Sequence, residues 1–132
     1  MIYCLDTNII VDIFRGNKNF LSKIEESIKE KNQFCITILT LAELLKGAFL
    51  SNKKEESIIF VEDFIKNIEI LSLDKESCKT YGEKFAELQK KGKKTEEIDL
   101  FIGSIVLTNG LTLITRNKKH FENISELKLV EW

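Results

Sequence analysis

Short apolar runs alternate along the chain with longer segments in which apolar residues recur every three or four positions. Five such runs are rich in Ile, Leu and Phe, as expected of strands that are covered on both faces of a parallel sheet. The order of strands and helices predicts an α/β domain with a mainly parallel five-stranded sheet flanked by helices. The predicted strands are Ile2–Leu5, Phe34–Ile38, Ile68–Leu73, Leu111–Thr115 and Leu127–Val130.

The segments between these runs carry the periodicity of amphipathic helices. The clearest apolar stripe runs from Leu41 to Phe49 at the i, i+3, i+4, i+7 and i+8 positions. A segment that is apolar nearly all round precedes Asn109 and Gly110, which predicts a buried helix that ends in a left-handed glycine cap. This helix is predicted over Ile98–Leu107, and the others around Leu21–Ile28, Ile58–Ile65 and Cys78–Leu88.

Residues 1–132 are expected to form a single domain, because no linker, repeat or low-complexity tract interrupts this pattern. No apolar run approaches the ~20 residues that a membrane-spanning helix requires, so no membrane role is expected. The 3 cysteines lie far apart and form no Cys-x-x-Cys pair, which indicates reduced thiols and a cytoplasmic location.

The charged residues change this picture more than the overall composition does. The formal net charge is −1, which argues against binding nucleic acid or membrane by bulk charge alone. The acids comprise 16 Glu but only 5 Asp, so the position of each aspartate needs a reason.

Three acids fall where the predicted sheet would bind a ligand. Asp6 directly follows the first strand, Glu43 lies near the start of the helix after the second, and Asp99 begins the buried helix. In open parallel sheets, ligands bind at the carboxyl ends of the strands. We therefore expect these three carboxylates to meet at one edge of the sheet.

Each of these acids also has a purely structural interpretation. Asp6 can cap the helix that follows it. Thr40 and Glu43 have the spacing of a capping box, and Glu43 can equally be solvated. Asp99 is harder to explain in this way, because a charged carboxylate among apolar residues costs several kcal/mol unless it is paired or bound to a cation.

A cation would explain all three carboxylates together. Carboxylates crowded at one sheet edge raise each other's pKa unless a cation lies between them. Oxygen ligands select hard ions such as Mg²⁺ or Mn²⁺, which typically bind a few carboxylates together with phosphate oxygens of a substrate. This chemistry suggests metal-assisted phosphodiester hydrolysis, in which the ion makes a bound water nucleophilic.

Four segments carry a family resemblance: Leu5–Asp12, Thr40–Leu44, Glu96–Ser104 and Leu113–Phe121, with Trp132 after the last predicted strand. In this order they resemble the PIN-domain ribonucleases, specifically the VapC-type toxins of type II toxin–antitoxin pairs. The resemblance implies a PIN-like three-layer fold and hydrolysis of RNA that leaves 3′-hydroxyl and 5′-phosphate ends. It also implies a homodimer and a groove that binds a VapB-type antitoxin.

By this resemblance, Asp6, Glu43 and Asp99 correspond to the family's acidic metal-site residues. The fourth acidic position of the family falls at Asn117, a neutral side chain that can support the site but cannot act as a base. Glu96 is the best candidate to compensate as a further metal ligand, because it lies one helical turn before Asp99.

The residues after the fourth strand supply candidate RNA contacts. Arg116 can bind a phosphate through two parallel hydrogen bonds, and Lys118 and Lys119 follow it; the alternative for Arg116 is a simple surface charge. We interpret His120 as structural, because a carboxylate metal site needs no histidine base. Gly103 is expected to allow close packing of the buried helix against the sheet.

Two other functions remain open at this point. One is a PIN nuclease that processes RNA without a toxin role. The other, from a different class, is a receiver-like signalling module with Asp6, Asp74 and Lys118 at strand ends, although it leaves Glu43 and Asp99 unexplained.

Overall fold

The five predicted strands all form, and they lie in one sheet with the order β3-β2-β1-β4-β5. The computed structural model describes residues 1–132. All four strand pairs are parallel, so the predicted α/β sheet is confirmed. The strands are β1 (Ile2–Leu5), β2 (Gln33–Thr37), β3 (Glu69–Leu71), β4 (Thr112–Thr115) and β5 (Lys128–Glu131).

Six α-helices cover the sheet on both faces, which gives the expected three layers. Neighbouring residues of a strand point to opposite faces, so Cys4 packs with residues of α5 and α6 while Leu5 packs with residues of α1 to α4. The helices are α1 (Thr7–Phe14), α2 (Lys18–Lys29), α3 (Ile38–Leu50), α4 (Lys54–Ile65), α5 (Lys75–Lys90) and α6 (Glu97–Thr108), with a short 3₁₀ turn at Lys118–His120.

The central position of β1 determines where the polar residues meet. β1 pairs with β2 on one side and with β4 on the other. Because the strands are parallel, the residues that follow them all leave from the same edge of the sheet. Asp6, the start of α3 and Thr115 therefore lie side by side.

The start of α3 differs from the prediction. The helix begins at Ile38, and its N-cap is Thr37, whose hydroxyl accepts a hydrogen bond of 3.2 Å from the backbone N–H of Thr40. Thr40 therefore lies inside the first turn, and the capping box of Thr40 and Glu43 was wrong. The last residue of strand β2 serves as the cap, and Glu43 is left for another role.

The buried helix α6 ends as predicted and packs differently from the prediction. Asn109 is its C-cap, and Gly110 follows with φ of +66°. A Cβ at Gly103 would lie 2.7 Å from Cδ1 of Ile124 and 3.3 Å from Cδ2 of Leu127. The close packing at Gly103 is thus against the segment between β4 and β5, and not against the sheet.

No helix in the fold combines the length and the apolar character that crossing a membrane demands. The three cysteines are free thiols, with Cys4 and Cys35 buried as register partners on β1 and β2, and Cys78 exposed.

Candidate active site

Asp6 is held rigidly at the carboxyl end of the central strand. One of its carboxylate oxygens accepts a hydrogen bond of 2.8 Å from the backbone N–H of Thr7, which makes Asp6 the N-cap of α1. The other oxygen accepts a 2.8 Å bond from the hydroxyl of Thr115 at the end of β4. Burial raises the pKa of Asp6, the two hydrogen bonds lower it, and the nearby Glu43 raises it further. The structural and functional interpretations of Asp6 are therefore compatible.

A row of buried threonine hydroxyls leads from strand β2 to Glu43. The hydroxyls of Thr37 and Thr40 lie 3.4 Å apart, and those of Thr40 and Thr7 lie 3.1 Å apart. Thr7 donates a 2.7 Å hydrogen bond to Oε1 of Glu43. Each hydroxyl has a single proton to donate, so all of these contacts can be hydrogen bonds only if each threonine donates to the next residue in the direction of Glu43. Glu43 is half-buried and oriented by this row, which excludes a freely solvated side chain.

Asp99 lies in the first turn of α6 and is half-buried. Its pKa is raised to about 6, chiefly by burial and then by the negative charge of Asp6, with smaller contributions from Glu43 and Glu96. The imidazole Nδ1 of His120 lies 3.5 Å from Oδ2 of Asp99 and opposes this increase. These contributions show that Asp6, Glu43 and Asp99 lie within electrostatic reach of one another at this edge of the sheet.

The other predicted residues differ in how closely they approach this group. Asn117 follows β4 and donates its backbone N–H to the Thr115 hydroxyl at 3.0 Å, so it supports the residue that holds Asp6. Glu96 is the exposed N-cap residue of α6 and is near enough to raise the pKa of Asp99. Lys118 and Lys119 are exposed in the 3₁₀ turn that follows Asn117.

Arg116 forms an ion pair that the sequence did not indicate. Its guanidinium contacts the carboxylate of Asp12, whose side chain is 12% exposed, while Arg116 itself is 43% exposed. The pair joins α1 to the segment after β4. Arg116 is therefore neither a free surface charge nor fully available to a phosphate, because Asp12 occupies part of its guanidinium.

The carboxylates are the side chains that a divalent cation prefers, but their present spacing does not surround an ion. No three His, Cys, Asp or Glu side chains lie close enough together to hold a metal ion as they stand. Mg²⁺ binds through only one or two carboxylates and keeps several waters, so it does not require such a group. Asp6 accepts only one hydrogen bond at each oxygen, so each oxygen keeps a lone pair for a cation, and the pKa of Asp99 is raised by burial and by the charge of Asp6. The residues present fit a hydrated divalent cation.

Sequence reasoning missed His120 and two of the threonines. His120 was interpreted as structural, but its imidazole faces Asp99. Thr40 was considered only as a cap, and Thr115 only as the last residue of the fourth predicted strand, whereas their hydroxyls orient Glu43 and hold Asp6. Thr115 ends a strand and Thr40 lies in the first turn of the helix after one, so their place at the carboxyl edge of the sheet was the available signal.

Comparison with known proteins agrees with this fold. The family model of the PIN domain matches residues 3–127, and the chain belongs to the PIN-domain family. Nucleases of this family generally depend on divalent metal ions.

Within the family, the chain is similar to proteins of the VapC group. It is 32% identical over 132 residues to Ribonuclease VapC1 of Haemophilus influenzae, covering 100% of this chain and 98% of that protein. It is 29% identical over 131 residues to the tRNA(fMet)-specific endonuclease VapC of Shigella flexneri, covering 98% of this chain and 97% of that one. Among solved structures, VapBC2 from Rickettsia felis bound to a promoter DNA fragment matches with a TM-score of 0.91 and 34% identity, over 100% of this chain and 99% of that chain.

Proposed function

We propose that this protein is an endoribonuclease that hydrolyses RNA with Mg²⁺ or Mn²⁺ and acts as the toxin of a type II toxin–antitoxin pair. The observation that carries the proposal is the cluster of Asp6, Glu43 and Asp99, in which the pKa of Asp99 rises to about 6. The full-length similarity to VapC ribonucleases supports RNA as the substrate.

Asp6 and Asp99 are the proposed metal ligands, with Glu43 and Glu96 completing the acidic site. When bound, the cation would lower the pKa of a coordinated water and neutralise charge on the phosphate. Two carboxylates on different elements, one after β1 and one in α6, can bind a hydrated ion from two sides.

The protein's own residues then orient the reaction. Thr115 and the backbone of Thr7 fix the carboxylate of Asp6, and Asn117 supports Thr115. The Thr7 hydroxyl occupies Oε1 of Glu43, which leaves Oε2 to position the attacking water and accept its proton. Arg116, Lys118 and Lys119 are the proposed RNA contacts at the same edge, with the exposed part of Arg116 facing the phosphates.

The proposed partner is a VapB-type antitoxin. A cavity of about 470 Å³ between α1, α3 and α4 has an apolar part formed by Phe14, Ala48, Phe60, Val61 and Leu50, of which Leu50 is 78% exposed. Such an apolar groove suits the apolar face of a helix. The VapBC complexes among the structural relatives support this assignment. We also propose that residues 1–132 form a single domain, since all five strands share one sheet. A homodimer and a cytoplasmic location complete the proposal.

The enzymatic part of the proposal is tested on purified protein with a mixed RNA pool. We expect cleavage in Mg²⁺ or Mn²⁺ but not in EDTA. Asp99→Asn should lower the rate by at least about a hundredfold, because it removes a proposed ligand worth several kcal/mol in the transition state. Asp63→Asn, an equivalent change at an exposed ion pair on α4, should leave the rate unchanged. Full activity in a folded Asp99→Asn protein would contradict the site.

The toxin role is tested separately, in cells. Expression of the chain should arrest growth, and co-expression of a small reading frame adjacent to its gene should restore it. Growth that continues despite active, soluble enzyme would instead favour an RNA-processing nuclease. The receiver-like alternative is wrong, because the chain is a PIN domain and Asp74 serves as the N-cap of α5 at the edge of the sheet.

A further inference from the structure

A second cavity, separate from the antitoxin groove, opens at the C-terminal end of α5. Its volume is about 410 Å³, within the range of roughly 300–1,000 Å³ that small-molecule sites occupy. Leu88 and Leu100 form its apolar floor, and Phe85 forms a wall. The rim is basic and contains Lys93 and Lys94.

The apolar part of this cavity includes an aromatic face that the protein does not cover. Leu88 and Leu100 are buried in the core, but Phe85 is 51% exposed although it is a large apolar side chain. The lining also contains the hydroxyl of Thr95, which is buried and has no hydrogen-bond partner. An exposed aromatic ring above an apolar floor is a surface on which a flat, aromatic ligand can stack.

The charged part of the cavity favours a polyanion. Lys90, Lys91, Lys93 and Lys94 lie within five consecutive positions, all are exposed, and none forms an ion pair. Lys84, which lies on α5 before these lysines, is in contrast buried and paired with two glutamates. In a chain with a formal net charge of −1, this concentration of free lysines is a local feature.

The cavity and the candidate active site share the first turn of α6. Leu100 lines the cavity, and its neighbour Asp99 belongs to the carboxylate cluster. The five residue-to-residue steps from Lys94 to Asp99 can span at most roughly 17 Å even when fully extended. A short single strand bound at the carboxylates can therefore reach the cavity.

We propose that this cavity binds an unpaired nucleotide of the RNA substrate, with the base stacked on Phe85 and the adjacent phosphates bound by Lys93 and Lys94. Single-stranded nucleic acid is bound in general by aromatic platforms combined with basic side chains, whereas a base within a duplex cannot reach such a ring. This inference rests on the proposed function, since it extends the same RNA beyond the cleavage site.

Binding tests the cavity without requiring cleavage. Fluorescence anisotropy is measured with a fluorescein-labelled single-stranded RNA of about 12 nucleotides and mixed sequence, using the Asp99→Asn protein so that the RNA stays intact. Phe85→Leu, which keeps apolar volume but removes the ring, should weaken binding about tenfold. Phe49→Leu is the matched control, because Phe49 is similarly exposed, at 56%, on α3 and lies outside both proposed binding surfaces.

The basic rim is tested through the salt dependence of the same binding. Lys93→Ala/Lys94→Ala should weaken binding and reduce the slope of log K against log salt by about 1.4, since each phosphate contact on a single strand contributes roughly 0.7. Lys29→Ala/Lys128→Ala removes the same charge at the amino ends of the strands and should change the slope little. A duplex of the same sequence should be insensitive to Phe85→Leu.

The outcomes separate this inference from the function on which it rests. If the wild-type protein cleaves RNA but the cavity variants bind and cleave like their controls, the nucleotide site is refuted and the nuclease stands. If no RNA is cleaved in Mg²⁺ or Mn²⁺, the proposed function fails, while the binding data still decide the cavity. If Phe85→Leu alters the oligomeric state in sedimentation but not RNA affinity, the ring is covered by a second chain and the inference is overturned.

Discussion

Two clusters of charged side chains lie partly buried in this molecule, and they differ in how their charges are balanced. In the first, the Lys84 ammonium is 6% exposed and lies 3.4 Å from both Glu87 and Glu126. Ser125 joins them, accepting from Lys84 at 2.9 Å and donating to Glu87 at 2.6 Å. Ser125, together with Lys84, lowers the pKa of Glu87. In this cluster one buried ammonium is paired with two carboxylates that remain partly in solvent.

The carboxylate cluster of Asp6, Glu43 and Asp99, in contrast, consists of acidic side chains alone. Its members repel one another, and the pKa values of Asp6 and Asp99 are raised rather than lowered. His120 is the imidazole that faces this negative charge, and its side chain is 53% exposed. The Lys84 cluster connects α5 to the segment before β5, whereas the carboxylate cluster has an excess of negative charge that a cation can neutralise. The sign of the pKa shift distinguishes structure from function here.

The largest expected effect is on the pH dependence of catalysis. Because the pKa of Asp99 is about 6, protonation below this value removes its negative charge and its capacity to bind a cation. At limiting Mn²⁺, the cleavage rate should fall about tenfold per pH unit below 6 and level off above it. The measurement is the initial rate from pH 4.5 to 8.

His120→Gln provides the control for this profile. His120 lowers the pKa of Asp99, so its removal should shift the fall in rate to higher pH. A rate that stays flat between pH 5 and 7 in both proteins would contradict the role of Asp99.

Lys84→Met should affect stability but not catalysis. The substitution keeps the apolar stem and removes the ammonium, so hydrogen bonds to Ser125 and two glutamates are lost. The free energy of unfolding in urea should decrease by about 1–2 kcal/mol, because the glutamates are partly exposed and can be solvated. Lys75→Met, at an exposed position of the same helix, is the control. A change in kcat would show that the two clusters are coupled.

The smallest expected effect is that of Asp99→Asn on stability, and it should be opposite in sign to the effect of Lys84→Met. The pKa of Asp99 rises from 3.8 to about 6 on folding, so the folded state favours the protonated acid. Its stabilising contribution is complete below pH 3.8 and is lost as the pH rises through 6. In EDTA at pH 8 the neutral variant should therefore melt a few degrees higher than the wild type, with no gain at pH 4. Calorimetry at the two pH values tests this, and a lower melting temperature at pH 8 would be the contrary result.

The sequence was sufficient to predict the strands and the principal acids. Strands buried on both faces leave continuous apolar runs, and Asp6 and Asp99 stand out because they adjoin such segments. The N-cap of α3 was predicted three residues too late in the chain, at Thr40 instead of Thr37, because both threonines are suitable caps.

The remaining features of the site depend on contacts between distant residues. The contact of Asp12 with Arg116 spans 104 positions, and neither residue type indicates its partner. The row of threonine hydroxyls cannot be predicted from the sequence for the same reason, since Thr7 and Thr40 become neighbours only when β1 and β2 pair. Local patterns predict elements, but the order of strands in the sheet determines which side chains meet.

The bond between Thr115 and Asp6 has a consequence for the synthesis of this protein. It joins residues 109 positions apart, and β1 lies between a strand made early and one made late. A ribosome that has translated only the first hundred residues has therefore produced the acids but not the sheet edge that aligns them. The site cannot assemble until β4 has left the ribosome and paired with β1. A nascent chain therefore lacks the assembled site until almost the whole chain has emerged.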